Sequence, residues 1–409
     1  MAEDARSLPP TLPANAWCGR ADLLRLVEVL GAENLRWVGG AVRDTLLGSS
    51  AHDIDAATTH QPAEVVRRLE AAGIRSVPTG IAHGTITAVL DGGHVEITTL
   101  RHDVATDGRH ANVAFTDDWR EDAARRDFTI NALYAHPLTL EIFDWFGGLA
   151  DLAASRVRFI GDARARIRED HLRILRYYRF QARFGSVLDA EAEAACAELA
   201  PMLKGLSRER VGWELQNLLS LADPVETVRR MAGNGVLAVV LPETGEREID
   251  AFAALVKAEA DAALPPSSIR RLAALLPADP RVAETVAARL RLSTASRRRL
   301  VTAARRDDAP GDARALAFRL GREEAYDRLL LTDSDTAPLN GWDIPQFPLK
   351  GGAVVERGVG AGPAVARILN MVQDRWIAEG FPDAERVHAM LEDLLAAERH
   401  NPDTVNIST

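Results

Sequence analysis

The stretch VGGAVRD at Val38–Asp44, followed by DID at Asp53–Asp55, decides the fold of the first part of this chain. The apolar run Leu35–Val38 predicts a strand, and the Gly-Gly step after it lets the backbone approach a ligand because no Cβ intervenes. A helix that begins there offers free N–H groups to a phosphate, and Arg43 in its first turn can add a charged fork. On a strand, aspartates two residues apart share one face, where they can hold Mg²⁺.

Each part of this pattern alone also fits a plainer interpretation. A Gly-Gly step is more often only a turn, and an Asp-x-Asp pair is more often a surface pair or the signature of many sugar transferases. The order of strand, Gly-Gly, helix with arginine and second strand favours phosphoryl chemistry. Glu96, within HVEITT at His94–Thr99, is a candidate third carboxylate for a metal cluster, and a solvent-facing strand residue is the alternative.

Two later motifs carry charges that suit a nucleotide. In RRDFTINA, Arg125–Ala132, Arg126 can donate to a triphosphate and Asp127 can accept from a ribose hydroxyl, although Asp127 can equally cap a helix. In EDHLRILRYYRF, Glu169–Phe180, helical spacing predicts Asp170 and Arg173 as neighbours at i and i+3.

The carboxylate of Asp170 is a hydrogen-bond acceptor beside the donors of Arg173, and this pair matches the Watson–Crick edge of cytosine or adenine. Guanine and uracil present their donors and acceptors in the opposite order. An ordinary salt bridge within the helix is the alternative interpretation of the same two residues. The same row continues with Arg176 and Arg179. The segment Asp151–Gly185 carries nine arginines against four acidic residues, which can bind RNA phosphates or form a solvated helix face.

The periodicity of the chain predicts an α/β first part and a helical remainder. Two β-hairpins are expected, one turning at Asp91-Gly92-Gly93 and one at Pro137-Leu138-Thr139. From about residue 147 onward, alanine, leucine, arginine and glutamate dominate. The predicted elements are helices at Ala21–Leu30, Ala41–Leu47, Pro62–Ala72, Arg166–Arg183, Ala190–Leu199, Ser207–Leu221, Pro224–Ala232 and Ala364–Ala378, and strands at Leu35–Val38, Asp53–Ala57, Thr85–Leu90, Val95–Leu100, Leu133–His136 and Glu141–Trp145.

Bulk properties narrow the class of protein. The 409 residues suggest two to four domains, and 47% hydrophobic with 26% charged residues is typical of a globular protein. The sequence shows no signal peptide and no membrane span, so a cytoplasmic location is the default expectation. Two cysteines far apart argue against a disulfide framework and a cysteine zinc site. The net charge of −10 argues against a nucleic-acid partner on average, while the local basic segment argues for one.

Taken in order, these motifs resemble the class II tRNA nucleotidyltransferase and poly(A) polymerase family of the polymerase-β superfamily. FGG with DL, Phe146–Leu152, extends the series, so that the resemblance covers residues 35–185 and weakens after about residue 230. It implies a polymerase-β-like α/β nucleotidyltransferase head at 1–147, a helical neck at 148–235 that reads the base, and an all-α body and tail at 236–400 that bind RNA. Residues 401–409 are expected to be disordered.

The resemblance also implies a role for each motif residue: Asp53 and Asp55 as metal ligands for Mg²⁺ and as catalytic residues with Glu96; Gly40, Arg43, Arg126 and Asp127 as contacts to phosphate and ribose; and Asp170, Arg173, Arg176 and Arg179 as contacts to the base and nucleotide. Asp103–Arg109 resembles the flexible loop of the family. The expected reaction is addition of C, C and A to the 3′ end of tRNA from CTP and ATP. Absence of a His-Asp cluster predicts no phosphohydrolase activity, and the oligomeric state stays open.

Three other functions remain consistent with parts of the sequence. A poly(A) polymerase of the same family would share every motif, and the segment around Gly108-Arg109 favours the CCA-adding branch. A transferase for small molecules would need the Gly-Gly and Asp-x-Asp part but neither Glu169–Arg179 nor a basic neck. A non-catalytic RNA-binding protein would need neither Asp53 nor Asp55.

Overall fold

The computed structural model describes residues 8–14, 17–51, 53–80, 84–106, 111–185, 187–306 and 311–400. Among these, none of the helices is both long and apolar enough to cross a membrane. The predicted disordered tail at 401–409 and the loop residues Gly108 and Arg109 lie outside the described part of the chain.

The first part of the chain is a mixed sheet with helices packed on it. Its elements are α1 (Ala21–Leu30), β1 (Leu35–Val38), α2 (Gly40–Leu46), β2 (Ile54–Thr58), α3 (Pro62–Ala71), β3 (Arg75–Gly80), β4 (Thr85–Leu90), β5 (Gly93–Thr99), β6 (Arg101–Thr106), β7 (Ala111–Phe115), α4 (Trp119–Ala124), β8 (Leu133–Ala135), β9 (Ile142–Asp144) and α5 (Gly148–Ala153). Seven of the strands form one sheet in the order β3-β4-β5-β2-β1-β8-β9, and β6 pairs with β7 separately. Strands β2 and β5 run parallel, whereas the other neighbours in the large sheet are antiparallel.

Both predicted hairpins are confirmed. Leu90 pairs with Gly93 around the two-residue turn at Asp91 and Gly92, and the positive φ of Gly93 suits glycine. In the second hairpin Leu133 pairs with Asp144, and both strands are shorter than predicted. Strands β3, β6 and β7 were not predicted from the sequence.

The rest of the chain is helical. Its elements are α6 (Ala163–Glu169), α7 (Arg173–Phe184), α8 (Ala190–Leu199), α9 (Arg208–Leu219), α10 (Val225–Gly233), α11 (Val236–Val240), α12 (Glu246–Asp261), α13 (Ser268–Ala274), α14 (Pro280–Arg289), α15 (Thr294–Ala303), α16 (Ala313–Leu320), α17 (Arg322–Leu331), α18 (Gly351–Val355), α19 (Pro363–Ala378) and α20 (Ala384–His400). Aspartates at N-caps explain several starts: Asp162 accepts from the N–H of Ala165, and Asp189 accepts from that of Ala192. This arrangement confirms the predicted fold class, an α/β head followed by helices.

One hydrophobic core joins the sheet to the first helices after it. It runs without interruption from Leu12 to Ala304, so the sheet and helices α6 to α15 share packing. A second core at Leu349–Leu395 is built by the last three helices. Because the first core is continuous across the boundary, the sheet and α7 hold the cavity between them in a fixed geometry.

Candidate active site

Strand β2 sets the carboxylates in place at the centre of the sheet. Asp55 lies beside Val38 on one neighbouring strand and beside Glu96 on the other, so Asp55 and Glu96 point to the same face. Asp53 immediately precedes the strand and is exposed. Burial raises the pKa of Asp55 from 3.8 to about 6, assisted by the negative charges of Glu96 and Asp53 and opposed by Arg126. Three carboxylates therefore repel one another here, and a bound cation would reduce this electrostatic repulsion.

The Gly-Gly step turns the chain from β1 into α2 beside these carboxylates. Gly39 has a φ of 66°, which favours glycine, and a Cβ there would approach Nη1 of Arg126 to 3.3 Å. Arg43 on α2 is only 4% exposed, and its guanidinium donates to Asp44 at 2.9 Å and to Asn131. Burial lowers the pKa of Arg43, although Asp44 opposes this shift. Gly40, Ala41 and Arg43 all line the cavity described below, so the beginning of α2 and this guanidinium border the same space.

Arg126 is held in place by partners within the head. Its Nε donates to the hydroxyl of Tyr134 at 2.8 Å, and its Nη2 lies 3.5 Å from Asp122. Burial would lower the pKa of Arg126, but Tyr134 and Asp122 outweigh burial and raise it. The same environment raises the pKa of Tyr134, mainly through burial. Arg126 thus remains a rigid cation at the cavity, as a phosphate contact requires.

Asp127 links the head to α7. Its carboxylate accepts from the N–H of Phe128 at 2.8 Å, from Asn131 at 3.0 Å and from Nε of Arg176 at 2.7 Å. Burial would raise the pKa of Asp127, but the charge of Arg176 and these hydrogen bonds lower it to about 2. Nearby, the buried Glu214 accepts from Arg179 at 2.6 Å and lies 3.6 Å from Arg176. Arg176 and Arg179 are therefore aligned by carboxylates on other elements.

The single helix predicted for Arg166–Arg183 is wrong, because the chain breaks between α6 and α7. Asp170 adopts an extended conformation with φ −147°, and its carboxylate accepts from the N–H of Leu172 at 3.1 Å. This local bond competes with the helical pattern and starts a new helix. Asp170 and Arg173 consequently do not form the neighbouring pair expected on one helix.

The two residues instead hold separate partners. Asp170 accepts from Arg210 at 2.8 Å. Arg173 donates to Glu169 at 2.7 Å, and to the carbonyl oxygens of Arg166 at 2.8 Å and Arg125 at 3.1 Å. The N–H of Arg173 donates to the carbonyl of Asp170 across the break, and both residues line the cavity described below.

The structure brings most of the predicted site residues to one cavity of about 620 Å³ between the sheet and α7. Among the described residues, seven arginines and five aspartates line it. The predicted residues that line it are Gly40, Arg43, Asp53, Asp55, Arg126, Asp127, Asp170, Arg173 and Arg176. Glu96 and Arg179 are not among the lining residues. Within the described ranges, no group of three or more histidine, cysteine, aspartate or glutamate side chains has the geometry of a metal site.

Sequence reasoning missed several residues of this cavity. Arg210 comes from α9 and reaches Asp170 across 40 residues of sequence, a contact that no local pattern indicates. Asn131 lies within a quoted motif but received no role, and it orders both Arg43 and Asp127. Phe180 lines the cavity with arginine guanidinium groups over its ring, at 4.6 Å for Arg179.

The sheet and the cavity on it place this chain in the class of polymerase-β-like nucleotidyltransferases. Residues 35–158 match the family described as the poly A polymerase head domain, and residues 187–246 match a probable RNA and SrmB binding site of polymerase A. The mitochondrial CCA tRNA nucleotidyltransferase 1 of Mus musculus is 34% identical over 390 residues, which span 88% of this chain and 87% of the relative. The chain belongs to the CCA tRNA nucleotidyltransferase family.

Further relatives agree with this assignment. The CCA-adding enzyme of Lactiplantibacillus plantarum is 39% identical over 205 residues, which span 50% of this chain and 49% of that enzyme. The solved structure of the Bacillus stearothermophilus CCA-adding enzyme in complex with CTP shares the fold, with a TM-score of 0.68 and 23% identity over 93% of this chain and 100% of the other. The Thermotoga maritima CCA-adding enzyme complexed with tRNA has a TM-score of 0.67 and 22% identity, covering 92% and 94%.

Proposed function

We propose that this protein adds C, C and A to the 3′ end of tRNA from CTP and ATP, with release of pyrophosphate. The observation that carries this proposal is one cavity lined by Asp53 and Asp55, at the start of β2, and by Asp170 and Arg173, at the break before α7. One bound nucleotide could therefore contact both sets of groups. The carboxylates would serve phosphoryl transfer, and the hydrogen-bond acceptor and donor of the second pair would bind the edge of the base.

Asp53 and Asp55, with Glu96 beside them, would hold Mg²⁺. The raised pKa of Asp55 fits this role, because its cause includes crowding by like charges that a divalent cation neutralises. When bound, such ions would activate the 3′-hydroxyl and neutralise the departing pyrophosphate. Glu96 is exposed and would serve as a supporting ligand or a source of negative field next to Asp55.

The remaining residues of the cavity position the nucleotide. The N–H groups after Gly40 and the guanidinium groups of Arg43 and Arg126 would bind the triphosphate, because they are rigid donors that need no reordering. The carboxylate of Asp127 would accept from the ribose hydroxyl through a lone pair beside its bond to Arg176.

Base choice would lie with Asp170 and Arg173. Cytosine and adenine each offer an amino donor and a ring acceptor, so one acceptor and one donor on the protein serve both. Arg176 would contact the nucleotide from α7, whereas Arg179 does not line the cavity; Glu214 holds both in position. A uracil or guanine would leave a buried partner unpaired, at about 1–3 kcal/mol each.

The same proposal assigns a role to each part of the chain. The head at 1–147 carries the chemistry, the neck at 148–235 reads the base, and the body and tail at 236–400 grip the RNA. The basic segment Asp151–Gly185 supports this placement of RNA, because local positive charge draws phosphates even to an acidic protein. A cytoplasmic location stays a prediction, to be tested by cell fractionation.

Primer extension tests the function. A tRNA lacking its terminal CCA should gain two nucleotides with CTP alone, none with ATP alone and three with both. A tRNA already ending in CCA should not be extended. Extension of that RNA by a run of A would contradict CCA addition and support poly(A) synthesis, and failure to add any nucleotide would refute both.

A further inference from the structure

An exposed tryptophan lies on α9, one helical turn from Arg210, which lines the cavity. Trp213 on α9 is 59% exposed, whereas Trp37 and Trp376 are each 1% exposed. Single exposed apolar side chains are common, so exposure by itself decides nothing. The side chains around Trp213 distinguish it from other exposed apolar residues.

A fixed cation lies next to the ring. The guanidinium carbon of Arg179 is 5.9 Å from the ring centre of Trp213 and 4.6 Å from that of Phe180. Glu214, which is 1% exposed, accepts from Nε of Arg179 at 2.6 Å. The buried carboxylate thus anchors the guanidinium between two aromatic rings, and the arrangement is ordered before any ligand arrives.

The same helix connects the tryptophan to the cavity. Arg210 precedes Trp213 by three residues, so the two side chains share a face of α9. Arg210 lines the cavity and donates to Asp170 at 2.8 Å. Phe180, under Arg179, lines the cavity as well. Trp213 therefore lies one helical turn from a residue that lines the cavity and beside Arg179.

The chemistry of a growing RNA end favours such a surface. An enzyme that adds nucleotides in succession must hold an end whose last base is not the same at every step. Hydrogen bonds to a base edge would favour one base, whereas every base has a π-face that stacks on an aromatic ring. Stacking on an aromatic side chain contributes about 1–3 kcal/mol per base and tolerates sequence. A neighbouring arginine adds attraction for the base and its phosphate.

We propose that Trp213, beside the anchored guanidinium of Arg179, is the platform on which a base at the 3′ end of the acceptor RNA stacks. It is a positioning residue that holds the end in register and takes no part in bond formation. The inference rests on the proposed function, because it assumes that the molecule that binds next to Trp213 is the RNA to be extended.

Binding of a minihelix RNA, an acceptor stem and TΨC loop ending in CC, tests the platform by fluorescence anisotropy. Trp213→Ala should raise the Kd for this RNA about tenfold, which corresponds to one stacked base at about 1.4 kcal/mol. Trp213→Phe should stay within about threefold of the parent, because a smaller ring still stacks. The KM for ATP and the midpoint of thermal unfolding should not change. Leu138→Ala, which removes an equally exposed apolar side chain in the head, is the matched control and should bind like the parent.

Abasic RNAs separate stacking from other contacts. We expect the Kd of the parent to rise about tenfold when the base at one of the last two positions is removed. The Kd of Trp213→Ala should not rise further on that RNA. Equal Kd values for the parent and Trp213→Ala on intact RNA would overturn the inference. The inference would also be overturned if, on every abasic RNA, the Kd rose by the same factor for both proteins relative to the intact RNA. Since binding needs no turnover, a parent that binds RNA but adds no nucleotide would refute the proposed function and leave this test intact.

Discussion

Replacing Asp55 by asparagine should stabilise the metal-free protein while it abolishes nucleotide addition. Burial, Glu96 and Asp53 raise the pKa of Asp55 from 3.8 to about 6, so the ionised carboxylate is unfavourable in the folded head. A shift of about two pH units corresponds to about 3 kcal/mol, and the partial exposure of this side chain reduces the expected gain to about 1–2 kcal/mol. Asparagine keeps the size of the side chain and removes its charge.

The gain should depend on pH in a defined direction. Because the pKa of Asp55 is raised in the folded protein, the parent is most stable below about pH 4, where Asp55 is protonated in both the folded and the unfolded state. Its stability relative to the variant falls as pH rises from about 4 to 6 and is constant above. The gain of Asp55→Asn should therefore be full at about pH 7.5 and roughly a third as large at about pH 4.5.

Hydrogen exchange of the amides of β2 and β5 in EDTA measures the opening of the two strands that carry Asp55 and Glu96. Asp117→Asn, which changes an exposed aspartate of the head, is the control and should show no such gain. In Mg²⁺ the parent should be more stable than Asp55→Asn, the reverse of the result in EDTA, because only the parent keeps both carboxylates. A gain of the same size at both pH values, or none at about pH 7.5, would refute the reasoning.

Three further results are expected. Arg173→Ala should lower the preference for CTP over UTP in kcat/KM by about 10- to 100-fold, because a buried donor to the base is lost, and an unchanged preference would exclude Arg173 from base choice. Arg271→Met should reduce the free energy of unfolding by about 3–5 kcal/mol, since Arg271 is 1% exposed and donates to Glu259 at 2.7 Å; urea titration showing a loss below about 1 kcal/mol would contradict this. Gly212→Ala should destabilise α9 by about 1–3 kcal/mol, as its Cβ would lie 2.5 Å from the carbonyl oxygen at the end of α14, whereas Gly205→Ala, with nothing within 4 Å, should be neutral by thermal unfolding.

The sequence predicts the sheet well where local chemistry determines structure. The hairpin at Asp91-Gly92-Gly93 follows from a turn that glycine permits, and the start of α2 follows from the positive φ at Gly39. The break at Asp170 was missed, because the apolar spacing of Glu169–Phe180 continues through it and only the side-chain bond to Leu172 interrupts the helix.

Contacts between distant segments are beyond such reasoning. Glu214 aligns Arg176 and Arg179 across 35 or more residues of sequence, and nothing in its own segment indicates this partner. The resemblance supplied the site residues of the cavity, but it did not supply Arg210 or Trp213. Arg210 reaches the cavity, and Trp213 reaches Arg179, only because α9 packs against α7, which depends on the whole core rather than on a motif.

The most direct test of the account is a crystal structure of this protein with Mg²⁺ and a non-hydrolysable CTP analogue. The account predicts metal density bridging Asp53 and Asp55 to the triphosphate, with the cytosine edge within hydrogen-bond distance of Asp170 and Arg173. A triphosphate held away from the two aspartates, or a base turned from Asp170 and Arg173, would contradict it.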